Sequence, residues 1–236
     1  MDPIFAIAAR GTERLGALVE AGGPVAALLI ALSVFALGLV LAKAWQFARA
    51  DLGDGAARAG LGLMRAGRSG EAAARLAGSA DPAARALARV LEGRRRGLPA
   101  AMVREEAGRA AEAELEALRG WLRPLEVTAA LAPLLGLFGT VLGMIDAFAA
   151  MEAAGTQVDP AVLSGGIWAA LVTTAVGLAV AMPAVAAFNW FDRRIERAER
   201  AVDDVLVAAF AEPLEPGAAP AAETDDGLGR PRAAGA

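Results

Sequence analysis

The sequence predicts an all-α integral membrane protein with three transmembrane helices, the second and third prolonged beyond the membrane. Three observations carry this. Residues 24–42, 127–145 and 164–190 contain no Asp, Glu, Lys or Arg. Each run is close to, or longer than, the ~20 apolar residues a helix needs to cross a bilayer. The basic residues avoid these runs and gather between and after them, with fifteen of the 23 Lys and Arg in 43–123 and six beyond residue 190. Finally, 56% of the 236 residues are hydrophobic, a share that fits membrane spans better than a globular domain.

Residues 1–23 form a mildly amphipathic leader, in which Ile4, Ile7, Leu15 and Leu18 are interspersed with Arg10, Glu13, Arg14 and Glu20. A helix lying along the membrane and a solvated leader fit equally well. No cleavage pattern of a signal peptide is evident. The first span, 24–42, opens at Pro24, whose missing N–H costs nothing at a helix start. Lys43 and Trp45 then mark an interface.

The soluble segment, 43–123, is basic but mixed with acids, so the run Arg94–Arg96 reads as a solvated face rather than a nucleic-acid or lipid patch. Gly60, Gly62, Gly67 and Gly70 should divide its first part into short helices. Asp81-Pro82 should start another, with an apolar side at Leu87, Val90 and Leu91. From Ala100 the pattern is continuously helical. Ala111, Leu115, Leu118, Leu122 and Leu125 step by four and three, a packing seam, and Pro124 predicts a kink where this helix meets the membrane.

The second span, 124–150, is followed by a link, 151–163, that carries Glu152 and Asp159 and no basic residue. The third span, 164–190, continues as a helix through 191–211. Phe188, Phe191, Ile195, Ala198, Val202, Val205 and Ala209 form its seam. Residues 212–236, rich in Pro, Ala, Gly and Asp, read as a disordered tail. Basic flanks predict 43–123 and 191–236 on the cytoplasmic side, and the link and the N-terminus on the other.

The two later spans share a design. Small residues recur at Ala132, Gly136, Gly139/Thr140, Gly143 and Ala147, and 34 residues on at Gly166, Ala170, Thr173/Thr174, Gly177 and Ala181. In a helix each set falls on one stripe, where another backbone can approach closely. Antiparallel crossing would bring Thr140 and Thr174 to similar depth. Such hydroxyls can orient water or bond back to their own helix. Glu126 and Asp146 flank the second span as candidate entrance groups, or as interfacial charges reaching water or a neighbouring Arg. The chain has neither Cys nor His, and no nucleophile–base pair or metal-ligand cluster is apparent. An enzyme, a metal site or a cofactor is therefore not expected. A secondary transporter would need more spans or a polar site at the midplane.

The segments APLLGLFGTVLGMIDAF and GGIWAALVTTAVGLAVAMPAVAAFN resemble the second and third spans of the ExbB/TolQ/MotA-type proton-channel family, closest to ExbB/TolQ. Gly-Leu-Phe-Gly-Thr-Val with Pro133 ahead of it, Thr-Thr-Ala-x-Gly-Leu, and Pro183 carry the resemblance, which extends over most of residues 20–210. It implies an inner-membrane motor subunit, with the N-terminus periplasmic. The family's ring, commonly a pentamer, surrounds single-span helices of an ExbD/TolR-type partner and drives a TonB- or TolA-like protein with proton flow. Thr140, Thr174 and Thr173 would then border the proton path, with the small residues packing the pore helices. The chain departs from the pattern at Ala169, where many members carry Glu. A flagellar-stator-like subunit is a nearby alternative, although that branch has four spans; a non-conducting scaffold is another.

Overall fold

The computed structural model describes residues 3–154 and 160–211, with side chains of the leader largely outside that description. The proposed tail at 212–236 and residues 155–159 of the link lie outside the described residues. Among the described residues seven helices follow in order: α1 (Pro3–Ala50), α2 (Gly55–Arg65), α3 (Ser69–Leu76), α4 (Pro82–Arg95), α5 (Ala100–Arg119), α6 (Leu122–Ala154) and α7 (Pro160–Phe210). There is no strand among the described residues, and three helical stretches are long and apolar enough to cross a membrane.

Helix α1 is broken at Gly23, whose backbone (φ 59°, ψ −153°) is left-handed in φ and open to glycine alone without strain. Pro24 follows directly and restarts the helix where a proline is tolerated. The far end of α1 turns inward. Lys43 is buried, and its Nζ donates to Gln46 Oε1 at 2.8 Å and to the carbonyl of Leu118 at 2.9 Å. An ammonium group held on a terminal carbonyl complements the negative end of a helix. Lys43 thus caps α5, where an interfacial marker was expected.

Helices α2 to α5 pack with the extension of α7 into one apolar cluster, centred on Leu76, Leu87, Val90, Val103, Leu115, Leu125 and Ile195. The five-residue seam ending at Leu125 is buried throughout, as is the α7 seam from Phe191 to Ala209. Asp81 caps α4 as the Asp-Pro pair suggests. Its carboxylate accepts from the N–H groups of Ala83 (3.1 Å) and Ala84 (3.3 Å). Burial pushes its pKa above the usual Asp value, outweighing those two hydrogen bonds.

Two expectations change. The glycines do not all break helices: Gly60 and Gly62 lie inside α2 and Gly70 inside α3, while Gly67, at φ 75°, makes the turn. Gly60 is small because the Leu76 side chain rests on it. The kink also moves from Pro124 to Gly120–Trp121, where Trp121 has φ 67°. Pro124 instead sits in the first turn of α6, where N–H groups have no partner within the helix. The basic run is a solvated face as expected, with Arg94, Arg95 and Arg96 all exposed. Arg94 donates to the carbonyl of Ala209 at 2.6 Å, closing the end of α7, and Arg95 pairs with Glu92.

Candidate functional site: the contact of α6 with α7

The two small-residue stripes face each other. Among the described helices α6 and α7 share the most extensive contact, and they run antiparallel. Gly136 lies against the backbone of Thr173, Thr174 and Gly177; Gly143 against Ala170; Gly166 against Ala147. A Cβ added to Gly177 would stand 2.6 Å from the carbonyl oxygen of Ala132 and 3.0 Å from Cα of Gly136. The sequence spacing of 34 thus closes one intramolecular seam, and most of its small residues are buried. Ala132 and Ala181 also meet Val25 and Leu29 of α1 there. Pro133 and Pro183 lie within their helices, and Pro183 is exposed.

The three threonines have different settings. Thr173 is buried where three helices meet. Gly139 of α6 stands over its hydroxyl, and Gly22 of α1 over its methyl group, so closely that added Cβ atoms would fall 2.6 and 2.8 Å away. Its hydroxyl donates to its own helix at Ala170 (2.7 Å) and lies 3.4 Å from the Gly136 carbonyl. Thr174 crosses the seam, donating to the same Gly136 carbonyl at 3.1 Å. Thr140 donates back to Leu137 at 2.6 Å. Thr140 and Thr174 therefore end on neighbouring carbonyls of one turn of α6. The Gly136 oxygen can accept a side-chain donor because a carbonyl has two lone pairs. Gly22 was not singled out from the sequence; the Gly-Gly-Pro run was its only local signal.

A cavity of about 440 Å³ opens beside this junction, towards the ends of α6 and α7 that carry the link. Gly23 and Pro24 of α1, Gly139 and Asp146 of α6, and Ala169 and Thr173 of α7 are among the residues lining it. Asp146 is exposed on its rim, and Ala169 shares the same space. Glu126 is elsewhere, beside Arg123 Nη1 at 2.9 Å. Neither stripe contains an ionisable side chain, and no cluster of Asp or Glu able to hold a metal occurs among the described residues.

Comparison with known proteins places this geometry. Over 88 residues the chain is 41% identical to the biopolymer transport protein exbB1 of Vibrio cholerae, covering 36% of this chain and 39% of that one. Over 87 residues it is 39% identical to the Tol-Pal system protein TolQ of Haemophilus influenzae, covering 37% and 38%. Over 64 residues it is 48% identical to the biopolymer transport protein ExbB of Neisseria gonorrhoeae, covering 27% and 29%. The matched stretches thus span well under half of each of these curated relatives. The profile of the MotA/TolQ/ExbB proton channel family matches residues 79–204, more than half of the chain, from the start of α4 through the seam of α7. This multi-pass helical membrane protein belongs to the MotA/TolQ/ExbB proton channel family.

Proposed function

We propose that the chain is a proton-channel and motor subunit of the bacterial inner membrane. With an ExbD/TolR-type single-span partner it would use the proton motive force to energise a TonB- or TolA-like envelope process. Copies of the chain would form a ring, by family likeness a pentamer. Residues 43–123 and 191–236 would be cytoplasmic, and the N-terminus and the 151–163 link periplasmic.

The observation that carries this reading is the pair of hydroxyls ending on one turn of α6 between small-residue stripes that lack any ionisable side chain. A hydroxyl can pass or orient a proton, but it does not titrate at neutral pH. A crossing proton therefore needs a carboxyl group from a partner, and a partner helix with one membrane Asp supplies that chemistry. Burial would raise the pKa of that Asp towards working pH. Asp146, on the cavity rim, suits an entrance role better than a relay at the centre. The family match to residues 79–204 supports the channel class.

The test is proton flux in vesicles containing the chain and its partner. Thr140→Val together with Thr174→Val should reduce flux while the protein stays folded and assembled, because Val keeps the shape and removes the polar atom. Asp146→Asn should reduce it less. Full flux in the double variant would sink the hydroxyl role. Robust flux from the chain alone would sink the borrowed carboxyl group.

A further inference from the structure

Beyond the membrane bundle, the contact of α5 with α7 opens into a groove of about 360 Å³. Its floor is apolar, formed by Leu115 of α5 and by Val202 and Leu206 of α7. Its walls carry three carboxylates, Glu112, Glu199 and Asp203, and one guanidinium group, Arg119. Arg119 pairs with Glu199, which leaves Glu112 and Asp203 exposed and without a cation among the described residues. Two other cavities in this part of the molecule differ in charge. One, between α4 and α5, balances Arg89 and Arg96 against Glu92 and Glu106; the other sets Arg49 and Arg85 against Glu114 alone. A negative groove with an apolar floor suits a segment that presents both cations and apolar side chains.

The groove continues the face of α7 that bears Thr174. Helix α7 is continuous from Pro160 to Phe210. Glu199 and Asp203 follow Thr174 by about seven and eight whole turns, so the three residues share one side of the helix. That side turns away from α1 at both levels. In the membrane, Gly22 of α1 covers Thr173, more than a quarter of a turn round from Thr174. Farther along, Phe47 of α1 packs on Phe191, whose ring centroid is 4.9 Å away, and Phe191 is about a third of a turn round from Asp203. A chain running beside the hydroxyl pair and leaving the membrane along α7 would therefore meet this groove.

We propose that the groove receives the basic flank of the single-span partner, with Lys and Arg side chains on Glu112 and Asp203 and apolar side chains on Leu115, Val202 and Leu206. This occupant presupposes the partner of the proposed function. The charge rule that orients this chain applies equally to that partner. A span keeps its excess of Lys and Arg on the side where the α2–α5 cluster lies, within about 15–20 residues of the membrane. Trp190 and Asp203 are thirteen residues apart, about 20 Å along a helix, so a flank of that length reaches the groove.

The probe is a fluorescent peptide with the sequence of the partner's basic flank, and the readout is its anisotropy on binding the full chain in phosphatidylcholine nanodiscs. Glu112→Gln with Asp203→Asn should weaken binding about tenfold at low salt. The difference should shrink as added salt screens the exposed charges. Glu71→Gln with Glu92→Gln removes the same charge from α3 and α4 and should leave binding unchanged. Because the chain has no Cys, Leu206→Cys should form a disulfide with a Cys placed in the peptide, whereas Ala73→Cys on α3 should not. That arm does not depend on the double variant folding. Unchanged binding in the Glu112 and Asp203 variant, or an equal loss in the α3–α4 control, would overturn the proposal. So would Leu206→Cys chains cross-linking to one another in place of the peptide, which would assign the groove to a second copy. Proton flux with the whole partner separates the two levels. Flux from the unaltered chain without peptide binding overturns the groove and leaves the channel reading standing, whereas no flux removes the partner and the groove's occupant with it.

Discussion

The cluster built by α2–α5 and the contact of α6 with α7 are both helix packings, but they are built from opposite materials. In the cluster, Leu76, Leu87, Val90 and Ile195 fill the interior with large apolar side chains. In the membrane pair the interior is Gly, Ala and Thr, while Leu134, Leu137, Phe138, Leu171 and Met182 point outward. The difference reflects the solvent. In water, burying a leucine removes apolar surface from an unfavourable medium. In lipid the tails are as apolar as leucine, so side-chain bulk has no reason to turn inward. Association then rests on close backbone packing and a few hydrogen bonds. Glycine shows the contrast directly. Gly60 and Gly93 make room for the side chains of Leu76 and Val103, whereas Gly136 and Gly177 make room for another backbone.

The strongest way to break this comparison is to add bulk on the membrane side. Gly177→Leu should cost about 3 kcal/mol or more, because the backbones of Ala132 and Gly136 cannot yield as a side chain can. Loss of the assembled protein in mild detergent is the expected outcome; retention at normal yield and stability would break the packing argument. The cluster should respond to removal instead. Leu87→Ala, at a fully buried position, should cost about 3 kcal/mol, read as a lowered unfolding midpoint. The outward Leu137→Ala should cost far less in the same assay.

A sharper comparison uses one methyl group in both regions. Gly177→Ala should cost roughly 2 kcal/mol through overpacking. Gly60→Ala should remain within about 1 kcal/mol of neutral, since the Leu76 side chain can move and the helix gains from replacing Gly. Equal losses would erase the distinction. The hydroxyl at the three-helix junction should matter less still: Thr173→Val is expected to cost about 0.6 kcal/mol, a common size for polar groups within membrane bundles.

A pH-dependent effect concerns the cap of α4. Asp81 has a raised pKa in the folded protein, so between the ordinary Asp value and the raised one the native state binds more protons than the unfolded chain. Stability from this group therefore falls as pH rises through that window. Asp81→Asn should flatten that part of the pH–stability curve while preserving the cap. Asp81→Ala should lose about 1 kcal/mol by removing it. Identical pH profiles for the unaltered chain and the Asp81→Asn variant would contradict the burial argument.

Much of this molecule was legible in its chain because the determinants are local or periodic. Uncharged length gives the spans; three-four spacing gives the seams through Leu125 and Ala209; Asp81-Pro82 gives the start of α4. The small-residue spacing likewise marks which faces of α6 and α7 permit close approach. What those faces approach is a long-range matter. Only the tertiary structure turns the two stripes towards each other, sets Gly22 over Thr173, and directs Thr174 to Gly136 while Thr140 returns to its own helix. It also sends Lys43 inward to the end of α5 and moves the break from Pro124 to Trp121. The physical reason is the range of the interaction: a helix phase repeats every few residues and is written along the chain. The partner of a glycine or a hydroxyl group, by contrast, is set by contacts across dozens of residues that depend on the register of whole helices.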